Sequence, residues 1–280
     1  MPGRLEGKNI IITGATGGIG LESSSFMFRE GASVLMTDLN QELLDKALKR
    51  VRDVVANVPG HLETLVVDVS SESEVDRLWG GLDVIFSNAG IMHPHDGDAH
   101  ECSAEIWNKT FDINVKGVWY GSKHAMRSLR KHGKTKRSVI NTASMVAIVG
   151  SATPQLAYTA SKGAVMALTR ELAIVHAREG EKSNVLMESL LNPMLQDFLG
   201  DDHAKRFRRE VHFPTDRFGE AIEQAQAVVF LASEESSFVN AHGIVVDGEL
   251  IKAYVTLEGP ATEAPRNLGV WFFTLSTPDK

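Results

Sequence analysis

Tyr158 and Lys162 are the residues whose types and spacing point most directly to chemistry. They stand four positions apart in a stretch, residues 155–178, whose pattern predicts a helix, and side chains at that spacing share one helix face. A free phenol has a pKa near ~10 and is a poor base at neutral pH. A neighbouring ammonium group stabilises the phenolate and lowers that pKa. The pair is therefore predicted to donate or accept a proton, although many helices carry such a pair by chance.

Ser144 and Asn114 are polar residues at positions that suggest a role beside this pair. Ser144 follows directly after a predicted strand at residues 138–142, and its hydroxyl could hydrogen-bond a substrate oxygen. Asn114 falls inside a predicted helical stretch over residues 106–131, where asparagine is unfavourable. An asparagine at such a position often has a structural or functional reason. One such reason is to hold a water that links Lys162 to solvent.

The segment 13–20 reads TGATGGIG and lies between the first predicted strand and the first predicted helix. Gly14 lets the chain turn sharply, and the later glycines let a diphosphate approach the backbone. The N-terminus of the helix then presents free N–H groups and a partial positive charge to that diphosphate. A plain glycine-rich turn is the alternative, but the position of the loop favours cofactor binding. We predict cofactor contacts from Gly14, Thr16, Gly18, Ile19 and Gly20.

Asp38 ends the second predicted strand, about 18 residues beyond Gly20, close to the spacing at which an acidic residue binds the adenosine ribose. A carboxylate there accepts both ribose hydroxyls and repels a 2′-phosphate. No Arg or Lys follows in residues 39–42 to bind such a phosphate. We therefore predict NAD as the cofactor, with NADP less favoured, and a contact from Leu39 as well. The alternative role for Asp38 is to cap the next helix, which Asn40 fills better.

Two further short motifs follow predicted strands. Asp68 and Val69 come after the third strand, and Asn88, Ala89 and Gly90 come after the fourth. In open α/β sheets, ligands bind outside the carboxyl ends of the strands. Small residues there let an adenine or a ribose pack on the backbone. Each motif is weak alone, but both are predicted to contact the cofactor.

Strands that alternate with helices are the elements expected to position these residues. Such alternation gives βαβ units, right-handed crossovers and a parallel sheet. We predict an α/β fold with one doubly wound parallel sheet of about seven strands and helices on both faces. Residues 1–255 are predicted to form a single NAD-binding catalytic domain, and residues 256–280 an irregular C-terminal tail. The predicted strands cover residues 9–13, 33–37, 62–67, 82–86, 138–142 and 243–247, and the predicted helices cover residues 19–30, 41–56, 106–131 and 155–178.

Composition restricts the partners of the 280-residue chain. A net charge of −7 argues against nucleic acid, because phosphate binding needs a basic surface. The lone cysteine, Cys102, cannot form a disulfide within the chain. The N-terminal residues show no apolar signal stretch, and no window has the ~18 apolar residues of a membrane span. We expect a cytoplasmic protein with a small-molecule partner and no membrane partner.

A histidine-rich loop at residues 93–100 is a conceivable metal site, because Asp96 and Asp98 lie among its histidines. The spacing of these residues fits no compact ligand motif, so we predict no metal. A position for His95 or Asp96 near the substrate is an alternative for this loop.

In combination, these motifs resemble the short-chain dehydrogenase/reductase family over residues 7–248. The resemblance implies a Rossmann-type fold, a homodimer or homotetramer, and reversible hydride transfer between NAD(P) and an alcohol or ketone. It implies that Tyr158 is the proton donor or acceptor and that Lys162 lowers its pKa and binds the nicotinamide ribose. It also implies that Ser144 polarises the substrate carbonyl and that Asn114 carries the proton relay. Residues 91–98 and 204–212 resemble a subgroup named cyclohexadiene-diol dehydrogenases, which suggests a cyclic alcohol or ketone.

Three departures from the family pattern stand beside this resemblance. Residues 183–194 contain no Pro-Gly pair, which the family usually has after the sixth strand, and residues 183–213 are predicted to form a lid over the substrate. Residues 71–81 leave room for only one or two helical turns. After the last strand, Glu249 follows Asp247 and Gly248, where the family more often has a second glycine. The alternatives are a catalytically impaired nucleotide-binding protein, or an isomerase or dehydratase on the same scaffold.

Overall fold

The computed structural model describes residues 3–55, 58–78, 81–133, 137–151, 153–188, 196, 199–215 and 217–252. In this part of the chain, seven strands form one sheet in which every pairing is parallel. The strand order is β3-β2-β1-β4-β5-β6-β7. The strands are β1 Asn9–Thr13, β2 Ser33–Asp38, β3 Leu62–Val66, β4 Val84–Ser87, β5 Arg137–Thr142, β6 Glu181–Glu188 and β7 Gly243–Val246.

The helices that connect these strands cover both faces of the sheet. They are α1 Gly18–Arg29, α2 Gln41–Val54, α3 Glu72–Val75, α4 Ala104–Phe111, α5 Gly117–His132, α6 Leu156–His176, α7 His203–Glu210 and α8 Ala221–Ala232. A single π-helical turn, Asp112–Lys116, joins α4 to α5.

Alternating side chains of the strands divide the core into two layers. Ile10 and Ile12 of β1 pack with apolar residues of α1, α2 and α8 on one face. Ile11, between them, packs on the other face against α3 and α5. Each strand that is buried on both faces must be apolar at successive positions, which explains the continuous apolar run of β1. The predicted doubly wound α/β fold is thus confirmed.

The strand order places the candidate site residues at one edge of the sheet. The chain runs outward from β1 to β3 and then returns to pair β4 with the other side of β1. The connections therefore leave in opposite directions from the carboxyl ends of β1 and β4. This reversal is the switch point at which open α/β sheets bind ligands.

The predicted elements differ from the observed ones in the helices. The helix predicted over residues 106–131 is interrupted by the π-helical turn, because an extra residue is accommodated around Asn114. Residues 71–81 hold the short α3 and one following 3₁₀ turn, as their length predicted. Helices α7 and α8 were not predicted. The domain boundary at 255 and the tail over 256–280 lie outside the described residues.

Candidate active site

The glycine-rich loop has a backbone that larger residues would disrupt. Gly14 has a φ of +63°, and a Cβ there would lie 2.8 Å from Ala89 Cα. A Cβ on Gly20 would lie 2.2 Å from the carbonyl oxygen of Gly14. Helix α1 begins at Gly18, so its free N–H groups lie at the loop. The loop therefore forms a narrow cradle at a helix N-terminus, which suits a diphosphate.

Asn88 fastens this loop to the end of β4. Its side-chain amide donates to the carbonyl oxygens of Thr13, at 3.2 Å, and Gly14, at 3.0 Å. In return, Thr13 Oγ1 accepts from the backbone N–H groups of Asn88 and Ala89, both at 3.1 Å. The described contacts of the Asn88 side chain thus position the loop.

Asp38 lies across the cradle from the start of α1. Its Oδ2 accepts from Thr16 Oγ1 at 2.6 Å and from the Thr16 backbone N–H at 3.1 Å, while Oδ1 accepts from the Leu39 N–H at 2.7 Å. These bonds fix the carboxylate at the end of β2, where it lines the same cavity as the glycines.

Asp68 and Val69 form the next wall of the cavity. Asp68 Oδ1 accepts from the backbone N–H and the hydroxyl of Ser70, at 2.8 Å and 2.7 Å. Val69 packs so closely on α5 that a Cβ on Gly117 would lie 2.9 Å from its Cγ2. The wall after β3 is therefore held by local hydrogen bonds and by close helix packing.

Tyr158 and Lys162 point from one face of α6 into this cavity, as their spacing predicted. Both side chains are buried, and Lys162 Nζ lies 5.5 Å from the centre of the Tyr158 ring. The ammonium group donates to the carbonyl oxygen of Thr142, at the end of β5, at 2.9 Å. Tyr158 Oη donates to Glu188 Oε1, at the end of β6, at 3.5 Å. The pair is thus anchored to two neighbouring strand ends.

The start of α6 is held by a residue of the histidine-rich loop. The carboxylate of Asp96 accepts from the backbone N–H groups of Ala157, at 3.1 Å, and Tyr158, at 2.8 Å. It thereby caps the N-terminus of the helix, where the Gln155 side chain makes no capping bond. Asp96 is therefore structurally coupled to the position of the phenol.

The pKa of Tyr158 is raised, which is opposite to the direction predicted from the sequence. Burial is the largest cause, and the charge of Glu188 adds to it, while a side-chain hydrogen bond with Ser144 acts against it. The prediction considered only the helix neighbour Lys162 and not the desolvation of the phenol. Burial also lowers the pKa of Lys162 to about 8, against a smaller opposing effect of Glu188.

Asn114 lies in the π-helical turn and is buried. Its Oδ1 accepts from the Ile91 N–H at 2.8 Å, and its Nδ2 donates to the Ile91 carbonyl at 2.9 Å and to Ser161 Oγ at 3.0 Å. A Cβ on Gly90 would lie 3.3 Å from this Oδ1 and 3.5 Å from Lys162 Nζ. Asn114 therefore holds the chain after β4 close to Lys162.

The cavity formed by these elements, which we call the carboxyl-edge cleft, has a volume of about 330 Å³. Cavities of this size bind small molecules. Most of the predicted site residues line it, whereas Gly20, Asn114 and Ser144 are buried and are not among the lining residues. The lining residues shared with the prediction are Gly14, Thr16, Gly18, Ile19, Asp38, Leu39, Asp68, Val69, Asn88, Ala89, Gly90, Tyr158 and Lys162.

Comparisons with known proteins agree with this geometry. Residues 14–249 match the family model described as enoyl-(acyl carrier protein) reductase. The chain is 33% identical over 256 residues to 2-(S)-hydroxypropyl-CoM dehydrogenase 3 of Xanthobacter autotrophicus, covering 89% of this chain and 98% of that one. The chain belongs to the short-chain dehydrogenase/reductase family. The resemblance read from the motifs is thus confirmed.

Two further members of the family show how widely the likeness extends. A 2,5-dichloro-2,5-cyclohexadiene-1,4-diol dehydrogenase of Sphingobium indicum is 34% identical over 255 residues, covering 87% of this chain and 97% of that one. The crystal structure of a putative 2-deoxy-D-gluconate 3-dehydrogenase from Agrobacterium tumefaciens, with bound NADP, superimposes with a TM-score of 0.79 at 26% identity. It covers 89% of this chain and 98% of the other.

Several residues that line the cleft were not singled out from the sequence. Ile91 and Ile113 line the cleft, but single apolar residues carry no signal that separates a lining position from a core position. Glu188 had such a signal, because a carboxylate at the end of an otherwise buried strand is unusual. The segment 189–195, which includes half of the stretch without Pro-Gly and a part of the predicted lid, lies outside the described residues. No helix in the described part of this family member has the length and hydropathy that a membrane span requires.

Proposed function

We propose that this protein is an NAD-dependent oxidoreductase that interconverts a cyclic secondary alcohol and the corresponding ketone. One observation carries the proposal: Tyr158 and Lys162 share a cleft with the glycine-rich loop and Asp38. A dinucleotide that spans the cleft would have its adenosine at Asp38 and its reactive end beside the phenol. The membership of the family supports the reaction class.

The residues of the cleft fit such a dinucleotide. Gly14 and Gly20 have no room for a Cβ, which keeps the loop backbone tight at the N-terminus of α1, where a diphosphate would bind. We propose that Gly14, Thr16, Gly18, Ile19 and Gly20 hold the diphosphate, as members of this loop. Asp38 and Leu39 would hold the adenosine ribose, and Asp68 and Val69 would hold the adenine. The rest of the dinucleotide would be held by Asn88, Ala89, Gly90, Tyr158 and Lys162. A nicotinamide bound there supplies or accepts the hydride.

The chain itself then has to bind the substrate oxygen and move one proton. The neutral phenol of Tyr158 donates a hydrogen bond, and then its proton, to the oxygen of a ketone, and its phenolate accepts the proton of an alcohol in reverse. The hydroxyl of Ser144, which counteracts the rise in the Tyr158 pKa, would orient the same oxygen. Lys162 stabilises the phenolate, and Asn114 fixes the chain beside Lys162, through which the proton would reach solvent.

NAD is the proposed cofactor because Asp38 presents a fixed carboxylate where a 2′-phosphate would lie. One solved relative has NADP bound, so membership of the family does not by itself favour NAD. Replacing Asp38 by Ser, D38S, should weaken the binding of NAD and strengthen the binding of NADP, because it removes the carboxylate that repels a 2′-phosphate. Affinities for both nucleotides, measured by calorimetry for both proteins, test this. An unchanged ratio of the two affinities would contradict the assignment.

The cyclic substrate class is supported by the cyclohexadiene-diol dehydrogenase relative. We expect a panel of cyclic secondary alcohols, including cyclohexanols and cyclic diols, to reduce NAD more rapidly than linear alcohols of equal carbon number. Absorbance of the reduced nicotinamide measures this directly. Equal or faster turnover of the linear alcohols would contradict the substrate class but not the reaction.

A second candidate is a protein that binds the nucleotide but turns over no substrate. It is favoured by the raised pKa of Tyr158, because little phenolate is then present at neutral pH to accept the proton of an alcohol. Nucleotide binding without reduction of NAD by any alcohol, and without oxidation of NADH by any ketone, would select this candidate. We also propose that the protein is cytoplasmic and forms a homodimer or homotetramer. Light scattering measures its oligomeric state.

A further inference from the structure

Glu188 brings a buried carboxylate to the reacting end of the carboxyl-edge cleft. It is the last residue of β6, it lines the cleft, and only 7% of its surface is exposed. Its Oε1 accepts the hydrogen bond of Tyr158 Oη at 3.5 Å. A ring that exchanges a hydride with a substrate held by this phenol would lie at the end of the cleft that Glu188 also lines. Glu188 is therefore well placed to act on the charge of that ring.

Charged groups from neighbouring elements determine the field at this end of the cleft. Helix α6 contributes the ammonium of Lys162, and β6 contributes Glu188. The end of β5 presents the neutral carbonyl of Thr142, and the chain after β4 presents neutral backbone at Asn88–Ile91. The carboxylates of Asp38 and Asp68 line the cleft where β2 and β3 end, on the other side of β1. Among the charged residues that line the cleft in the described part of the chain, Lys162 and Glu188 are therefore the opposing pair at the phenol.

The oxidised nicotinamide ring carries a positive charge, and the reduced ring does not. A buried ammonium alone would repel the oxidised ring, since charges interact strongly where water is excluded. A carboxylate beside both offsets that repulsion and attracts the ring. The effect on the neutral reduced ring is much smaller. The charge at residue 188 thus acts differentially on the two forms of the nucleotide.

We propose that Glu188 is the residue that makes the cleft select the oxidised over the reduced nicotinamide nucleotide, and so favours alcohol oxidation. This inference rests on the proposed function, because it requires the nucleotide to occupy the cleft. It assigns Glu188 an electrostatic role toward the cofactor, beyond the proton transfer by Tyr158. It also gives a reason for a buried carboxylate where the strand meets the site.

The test compares nucleotide affinities, with no turnover required. Calorimetric titration of NAD and NADH into the wild type and Glu188→Gln, an isosteric neutral variant, yields two dissociation constants for each protein. We expect E188Q to raise the dissociation constant of NAD roughly tenfold and to change that of NADH by less than about threefold. Glu181→Gln provides the matched control, because Glu181 is the equally buried carboxylate at the opposite end of the same strand. It should leave the NAD-to-NADH ratio unchanged.

Each alternative outcome has a distinct meaning. If E188Q changes both nucleotides equally, changes neither, or tightens NAD, the inference is overturned, while the proposed function stands. If E181Q changes the ratio as much as E188Q does, the effect is not local and the inference is also overturned. If the wild type binds neither nucleotide, the proposed function fails first. Should E188Q not fold, as circular dichroism reports, Glu188→Met and the charge-retaining Glu188→Asp replace it. A lower preference for NAD over NADH in E188M, together with the wild-type preference in E188D, supports the inference, and the reverse overturns it.

Discussion

The two ends of β6 both carry a buried carboxylate next to a buried cation, yet they are built for different purposes. At the carboxyl end, Glu188 faces Lys162 in the cleft of about 330 Å³. At the amino end, Glu181 lies beside Arg137 in a cavity of about 550 Å³, which we call the amino-edge cavity. All four side chains are at most 7% exposed. Neither buried charge nor cavity size therefore distinguishes the candidate site.

The two ends of β6 differ in the contacts that the neighbouring lysine makes. In the amino-edge cavity, the Lys182 ammonium donates to the carbonyl oxygens of Leu231 and Ser233 and to the hydroxyl of Ser236, and so ties β6 to the end of α8. In the carboxyl-edge cleft, the cation lies near a phenol and opposite a glycine cradle. The comparison teaches that a reactive group and room for a cofactor make the candidate site, whereas the other charged cluster joins elements of the fold.

The largest expected difference between the two ends concerns their lysines. Lys162→Met should reduce turnover about 10²–10⁴-fold, because it removes the cation that stabilises the phenolate. Lys182→Met should leave kcat near the wild-type value but lower the free energy of unfolding by roughly 1–3 kcal/mol, because it removes the three hydrogen bonds that tie β6 to the end of α8. Steady-state kinetics and urea unfolding of both variants measure this. Similar losses of turnover in the two variants would contradict the claim that only the carboxyl end of β6 takes part in the reaction.

The second difference concerns the glycine cradle. Gly20 and Gly163 both lie in helices, but a Cβ on Gly20 would lie 2.2 Å from the Gly14 carbonyl oxygen, whereas one on Gly163 meets nothing within 4 Å. Gly20→Ala should destabilise the protein by about 1–3 kcal/mol and remove the rise in Tm that NAD causes. Gly163→Ala should stabilise it by up to about 1 kcal/mol and retain that rise. Thermal unfolding with and without NAD tests both, and a normal NAD effect in G20A would contradict the assignment of the loop.

A smaller difference is expected in the pH dependence of stability at the amino end. Burial raises the pKa of Glu181 from its ordinary value of 4.5 to about 7. Between these values the folded chain holds a proton that the unfolded chain has released, so this group makes stability fall as the pH rises from 4.5 to about 7. Glu181→Gln should remove that fall, so the free energy of unfolding of the variant relative to the wild type should be about 3 kcal/mol higher at pH 8 than at pH 4.

Urea unfolding over this pH range measures the effect. Glu63→Gln is the control, because Glu63 is an exposed glutamate on β3, and its pH series should follow that of the wild type. If E181Q retains the whole fall in stability, the carboxylate at the amino end is not the group responsible. The claim that the buried carboxylate at the amino end makes stability depend on pH would then be wrong.

The sequence predicted most of the fold because strands buried on both faces need consecutive apolar residues. The limits predicted for β1 agree with the structure, and the glycine-rich loop lies at the end of this strand. The π-helical turn at Asn114 was not predictable, since it depends on bonds to Ile91, more than twenty positions away along the chain. Local pattern carries no information on such distant partners.

The direction of the Tyr158 pKa could not be predicted for a related reason. It is determined by burial and by Glu188, which comes from a strand thirty positions further along the chain. The helix spacing of Tyr158 and Lys162 is a local property, and it was read correctly. The desolvation of the phenol is a property of the assembled cleft. Residue types therefore located the candidate site, while tertiary packing sets its electrostatics.

The most direct test of the central claim is the reduction of NAD by a cyclic secondary alcohol, followed by absorbance, in the wild type and Tyr158→Phe. Nucleotide affinity is measured on the same samples, and Tyr120→Phe on α5 is the control. We predict that the wild type and Y120F form NADH, whereas Y158F binds NAD with similar affinity but is slower by about 10²–10⁴-fold. Turnover in Y158F at the wild-type rate would contradict the account, because the proton would then be transferred by another group.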